Sequence, residues 1–173
     1  MPSLKTSLAF CALLLAGCSS ESAETLDHGS SKSDLEVAQP VVERRVSNPF
    51  PDATELRLFV ETAYDQKTGK AIFSRSNGIR LSEPQRRKFE DALKIEAAPE
   101  EMAACFIPHH FFRYFDAEGK QVGEVEVCFC CSGVAASGSP KLQASNGEML
   151  GADYSEVESV VASVGEPTDV LCD

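Results

Sequence analysis

Apolar positions along this chain change their period from place to place, and the periods mark out the elements. Glu55-Leu-Arg-Leu-Phe-Val-Glu-Thr-Ala-Tyr64 reads as a strand, and Asp65 to Gly69 follows as a turn. A second strand is predicted around Ala71 to Ser74, with a further piece at Gly78 to Leu81. Ser82 then begins a helix. Gln85, three residues on, completes a capping box, and Pro84 stands in the first turn, where its missing N–H costs little. Phe89, Ala92 and Leu93 give that helix one apolar stripe, running to about Ile95, and Pro99 helps to end it. A second unit repeats the order: Phe106 to Phe115 as a strand, Asp116-Ala-Glu-Gly119 as a turn, Gln121 to Cys131 as a strand. After a Gly/Ser-rich loop, Val157, Val160, Val161 and Val164 fall at i, i+3, i+4 and i+7. That is one helix face, capped by Asp153 or Ser155 and closed by Gly165 and Pro167. The predicted layout is β-β-α-β-β-α, an α+β domain with an antiparallel sheet and helices on one face.

This domain is expected to span residues 52–173. From Ser19 to about Pro51 the chain is rich in Ser, Glu, Asp and Pro. It has too few large apolar residues to offset the entropy of ordering, so residues 18–51 are expected to form a flexible tether. His28 falls there as a solvated linker residue.

The first residues carry a different pattern. Lys5 is the only charge, and Ser7 to Leu15 is apolar but shorter than the roughly 20 residues a bilayer-spanning helix needs. Small residues then lead into Leu15-Ala16-Gly17-Cys18, which resembles the lipobox of bacterial lipoproteins. The resemblance covers these four residues and their context. It implies that residues 1–17 are a signal peptide, that Cys18 carries a diacylglycerol thioether, and that the new amino terminus is acylated (palmitate among the chains). Ser19 after the cysteine resembles outer-membrane sorting. Several acyl chains hold a protein stably where one would be marginal. The expected partner is therefore the membrane, with the body tethered to the outer membrane and facing the periplasm.

The formal charge is −11, and removal of residues 1–17, which hold Lys5 and no acid, takes it to −12. An acidic body argues against nucleic acid and against adhesion to anionic lipid surfaces.

The remaining chemistry lies in cysteines. Of the seven, Cys11 goes with the signal peptide and Cys18 to lipid, which leaves Cys105, Cys128, Cys130, Cys131 and Cys172. Cys105-Phe-Ile-Pro-His109-His110 enters the second hairpin and Cys128-Phe-Cys130-Cys131 leaves it. Asp116 and Gly119 suit a type I turn with Gly in the left-handed position, so Asp116 faces Lys120. Continued down the ladder, Phe111 faces Val125, His109 faces Val127 and Cys105 faces Cys131. Directly opposed residues have Cβ atoms about 4.5–5.5 Å apart, close to disulfide reach. This register puts Cys105, His109 and Cys131 on the apolar face, and Cys128, Cys130 and His110 on the other with Glu124 and Glu126. Pro108 cannot donate to the ladder, and a slip of one residue exchanges the faces.

Three readings follow. Cys105, His109, His110, Cys128, Cys130 and Cys131 can supply a tetrahedral zinc site or soft ligands for copper(I), although paired C-x2-C knuckles are absent. An oxidising compartment favours structural disulfides, and five cysteines leave at least one unpaired. Adjacent Cys130 and Cys131 could form only a strained, reducible vicinal bridge; Cys128 and Cys131 have C-x-x-C spacing, as a redox pair would, but at a strand end rather than a helix start. The stretch from Cys105-x-x-Pro-His-His through Phe-x-Tyr-x-Asp-x-x-Gly to Val-Cys-Phe-x-Cys resembles small uncharacterised secreted bacterial proteins. That resemblance covers about 30 residues and implies no activity. Arg86-Arg87-Lys88 reads as the solvated side of its helix. No G-x-S-x-G, H-E-x-x-H or phosphate loop is present, so an enzyme has no positive signature.

Overall fold

The computed structural model describes residues 43–100 and 105–172. The expected signal peptide, the lipobox-like stretch and most of the expected tether therefore lie outside the described residues. Within them run β1 (Arg44–Arg45), β2 (Glu55–Asp65), β3 (Lys70–Phe73), β4 (Ile79–Arg80), α1 (Glu83–Ala92) and β5 (Leu93–Ala97). Then come β6 (His110–Phe115), β7 (Gln121–Cys128), β8 (Gly133–Ser137), β9 (Glu148–Ala152) and α2 (Tyr154–Ser163). The fold is α+β with antiparallel pairing, as expected.

Two sheets replace the single one expected. The larger has the order β3-β2-β6-β7-β8, with β4 also against β2, and the smaller has the order β1-β5-β9. Leu56, Leu58 and Val60 from β2, Phe112 and Tyr114 from β6, and Val125 and Val127 from β7 form one apolar face. Phe89 and Ala92 of α1, Val157, Val160 and Val161 of α2, and Leu93, Ile95, Leu150 and Ala152 of the small sheet complete one continuous core with it. Phe89 stacks on Phe112 with ring centroids 3.7 Å apart. Burying a side chain of that size contributes about 1.5–3 kcal/mol.

Local chemistry explains the helix starts. The Ser82 N–H donates to Gln85 Oε1 at 2.9 Å, closing the capping box, and the Asp153 carboxylate accepts from the Glu156 N–H. The first helix ends earlier than expected. Leu93-Lys-Ile-Glu-Ala has apolar residues two apart, which suits β5 paired to β9 better than a fourth helical turn. β8 and β9 occupy the stretch read as a loop. Their small side chains (Gly-Val-Ala-Ala-Ser in β8) give little period-two contrast.

The domain also begins before residue 52. β1 pairs with β5, and Val46 and Phe50 are buried in the core. The Phe50 ring packs on Tyr114 with centroids 4.1 Å apart and fills the space where a side chain at Gly123 would stand. Ser139 Oγ donates to the Pro49 carbonyl, and Lys141 Nζ donates to Asn48 O at 2.8 Å. Residues 44–51 are thus part of the packed body, held by backbone contacts that hydropathy does not register.

The register of the second hairpin differs from the sequence expectation. The Asp116 turn is as predicted: the Gly119 N–H donates to Asp116 O, and Gly119 has φ +79°. Phe115 pairs with Gln121, but Tyr114 pairs with Gly123, so Val122 is an extra residue on β7. Such a bulge exchanges the faces beyond it. His110 faces Val127 and Phe112 faces Val125. His110, Phe112 and Tyr114 therefore point to the core, while Phe111 and Arg113 point outward with Glu124 and Glu126. The Arg113 guanidinium stands over the rings of Phe59, Phe73 and Phe111 at 4.6, 5.1 and 5.4 Å, and pairs with Glu124.

Candidate functional site

β7 stops at Cys128, three residues short of the expected Cys131, and pairs there with Gly133 of β8. Phe129, Cys130, Cys131 and Ser132 make the loop between them, with Ser132 at φ +52° in the left-handed region. The Cys105–Pro108 segment crosses this tip. The Phe106 ring occupies the space above Gly133 that a side chain there would need.

The tip brings together some of the candidate residues and separates others. Cys128 Sγ and Cys131 Sγ are 2.8 Å apart, and the Cys131 thiol donates to the Cys105 carbonyl at 3.0 Å. Cys105 and Cys131 meet, although not as a ladder pair. Cys130 instead forms a disulfide with Cys172, with Cα atoms 5.3 Å apart, which fastens the C-terminal tail to the tip.

The histidines serve elsewhere. His110 is buried in the core, its ring edge-on to Phe129, and its Nε2–H donates to the Pro167 carbonyl at 2.8 Å. His109 lies on the other side, with Nδ1 3.4 Å from Glu61 Oε2. The set Cys105, His109, His110, Cys128, Cys130 and Cys131 is thus not assembled as one ligand sphere. Among the described residues, no group of three or more His, Cys, Asp or Glu is arranged to hold a metal ion.

The two adjacent thiols are electrostatically unequal. Cys128 is buried, which opposes ionisation, but the adjacent Cys131 sulfur and the neighbouring backbone of Ile107, Cys131 and Cys130 outweigh burial and hold its thiol below the ordinary range. Burial pushes the Cys131 thiol up to about 12, and the sulfurs of Cys128 and Cys105 act in the same direction. Of the two, Cys128 is therefore the more readily ionised thiol. Exposed apolar side chains surround the cluster: Phe106 is 39%, Ile107 62% and Leu171 46% exposed.

Cys172 was not singled out for any role by sequence reasoning. An odd number of cysteines signals a missing partner without naming it, and nothing in the spacing from residue 130 to 172 does so either. Comparison with protein-family models, with curated proteins and with solved structures finds no match for this chain.

Burial lowers the His110 pKa below its ordinary 6.5; the Pro167 carbonyl and Glu166 oppose this, and His109 reinforces it. The unfolded chain then binds the extra proton more readily, so stability is full above pH 6.5 and is lost as pH falls from there through the depressed folded value. His110→Gln is expected to remove this component while costing about 1–3 kcal/mol for the disturbed buried hydrogen bond. Urea midpoints measured across that window check it. An unchanged pH slope in the variant would assign the effect to another group.

Proposed function

We propose that this chain is an envelope lipoprotein, anchored by lipid on Cys18 to the outer membrane, whose periplasmic body carries a dithiol–disulfide site formed by Cys128 and Cys131. The observation that carries the site is the 2.8 Å separation of the two sulfurs. That is inside van der Waals contact and a small side-chain rotation from the roughly 2.05 Å of a bond. Oxidation by a protein or small-molecule disulfide of the compartment balances as two thiols giving one bridge and two reduced sulfurs on the oxidant. The anchor is supported by Leu15-Ala16-Gly17-Cys18 at the end of a short apolar segment.

Thiol counting after unfolding tests the site. The three free thiols of the reduced body (Cys105, Cys128 and Cys131) are expected to fall to one on oxidation, with Cys130–Cys172 already bridged. Three thiols remaining after prolonged oxidation would overturn the reading. Stoichiometric zinc or copper(I) on the same sample, with the thiols protected, would replace it by the soft-metal reading, held by Cys105, Cys128 and Cys131. For the anchor, Cys18→Ser is expected to abolish palmitate incorporation and release the protein from the membrane fraction. Retained labelling would refute it.

A further inference from the structure

Cys131 sits between two other cysteines. On one side is Cys128, buried at the end of β7. On the other is Cys105, exposed on the segment that crosses the tip, its carbonyl oxygen 3.0 Å from Cys131 Sγ. A disulfide between Cys128 and Cys131 would therefore have a third cysteine already against it, next to the sulfur from which exchange moves the bridge outward. We propose that Cys105, Cys131 and Cys128 form an exchange relay that carries one disulfide between a buried position, Cys128–Cys131, and a surface position, Cys105–Cys131. This rests on the dithiol–disulfide reading and extends it by giving the bridge a way to the surface.

The step balances within the chain. Cys105, as thiolate, attacks Cys131 Sγ; the Cys105–Cys131 bond forms, the Cys128–Cys131 bond breaks, and Cys128 leaves with the electron pair. No external oxidant or reductant is consumed. The polar backbone of Ile107, Cys130 and Cys131 beside Cys128 favours the departing thiolate, and a well-stabilised leaving sulfur leaves faster. The reverse step returns the bridge to the interior. Cys130 does not compete, because its sulfur is bound to Cys172.

Position decides what each isomer can do. Cys128 is 1% exposed, so a bridge on it offers the outside only its Cys131 sulfur. After exchange the bridge lies on exposed Cys105, flanked by Phe106 and Ile107, where the thiol of an extended polypeptide can reach it. The external reactant is thus a protein thiol. Its attack on Cys105 Sγ forms a mixed disulfide and releases Cys131.

The test uses the oxidised mature body, acid-quenched to freeze exchange, unfolded, and labelled with a maleimide under mildly acidic conditions before peptide mapping. In the wild type, label is expected on both Cys105 and Cys128, because exchange populates both bridges. Cys105→Ser, a change at an exposed position, is expected to eliminate the Cys128 label and leave one bridge, Cys128–Cys131. Label confined to Cys105 alone, or to Cys128 alone, in the wild type would overturn the relay. If Cys105→Ser forms no Cys128–Cys131 bridge on oxidation, the dithiol–disulfide reading itself fails. The two failures are thereby told apart.

Discussion

Replacing Arg86 by alanine is expected to lower the stability of the domain by about 3–5 kcal/mol, the usual loss when one partner of a buried ion pair is removed. Arg86 Nε donates to Glu90 Oε1 at 2.8 Å one helical turn on, and both side chains are largely buried, at 13% and 9% exposure. Its other nitrogens donate to the carbonyls of Ala53 at 2.8 Å and Phe50 at 3.3 Å, and its guanidinium stands over the Tyr114 ring. Alanine would leave the Glu90 carboxylate buried without its cation and the Ala53 carbonyl without its donor. It would also free the segment that seats Phe50 against Tyr114. A domain of this size has a total stability of about 5–15 kcal/mol, so the loss is a large fraction of the whole. Urea unfolding of the variant checks the magnitude. Arg86→Ala with Glu90→Gln should recover part of the loss, since the uncompensated charge is then gone. A cost below about 1 kcal/mol, the range of exposed pairs, would show that Arg86 acts as a surface charge.

Arg86 marks a limit of reading charge from a chain. In Arg86-Arg87-Lys88 three cations stand side by side, and a helix must turn successive residues by about 100°. Only one of the three can point toward the segment before β2, and helical period alone does not say which. The same ambiguity governs β6. His-Phe-Phe-Arg-Tyr-Phe is aromatic on both faces, so a strand of either facing buries apolar surface, and Arg113 is the only residue that marks the outside. The single extra residue at Val122 then reverses which aromatics enter the core. Bulges of this kind leave no mark in a pattern of apolar and polar positions.

What was legible is what short-range chemistry specifies. The Asp116–Gly119 turn, the Ser82–Gln85 box and the valine face of α2 each rest on residues within a few positions of one another, and each is present. The nearness of Cys105 to Cys131 was legible for the same reason. A hairpin closed by a specific turn brings its two ends together whatever its register, so two sulfurs placed at those ends meet even when the ladder between them shifts. Which sulfur bonds to which was not legible. It depends on where β7 stops, on the loop through Ser132, and on a C-terminal tail whose path is set by the burial of His110 and its bond to Pro167.

That tail carries the second large effect. Converting Cys130 and Cys172 together to serine is expected to cost about 4 kcal/mol, because the bridge closes a loop with a sequence separation of 42 residues and removes its entropy from the unfolded chain. Changing both cysteines avoids a stray thiol beside Cys131, which would otherwise enter exchange with the neighbouring sulfurs. The contacts at stake are specific. Without the bridge, the tail after α2 keeps the His110–Pro167 hydrogen bond, the Arg75–Glu166 ion pair and the packing of Val170 on the core. The double variant should therefore show a lowered urea midpoint and faster carboxypeptidase trimming toward Pro167, with the α2 core intact. Reductant supplies the control. It should destabilise the wild type by at least that amount and the double variant by no more than about 2 kcal/mol, the entropy of the short Cys128–Cys131 loop. Equal sensitivity of both proteins to reductant would mean that the stabilising bridge lies elsewhere, and the assignment of Cys130 to Cys172 would have to be abandoned.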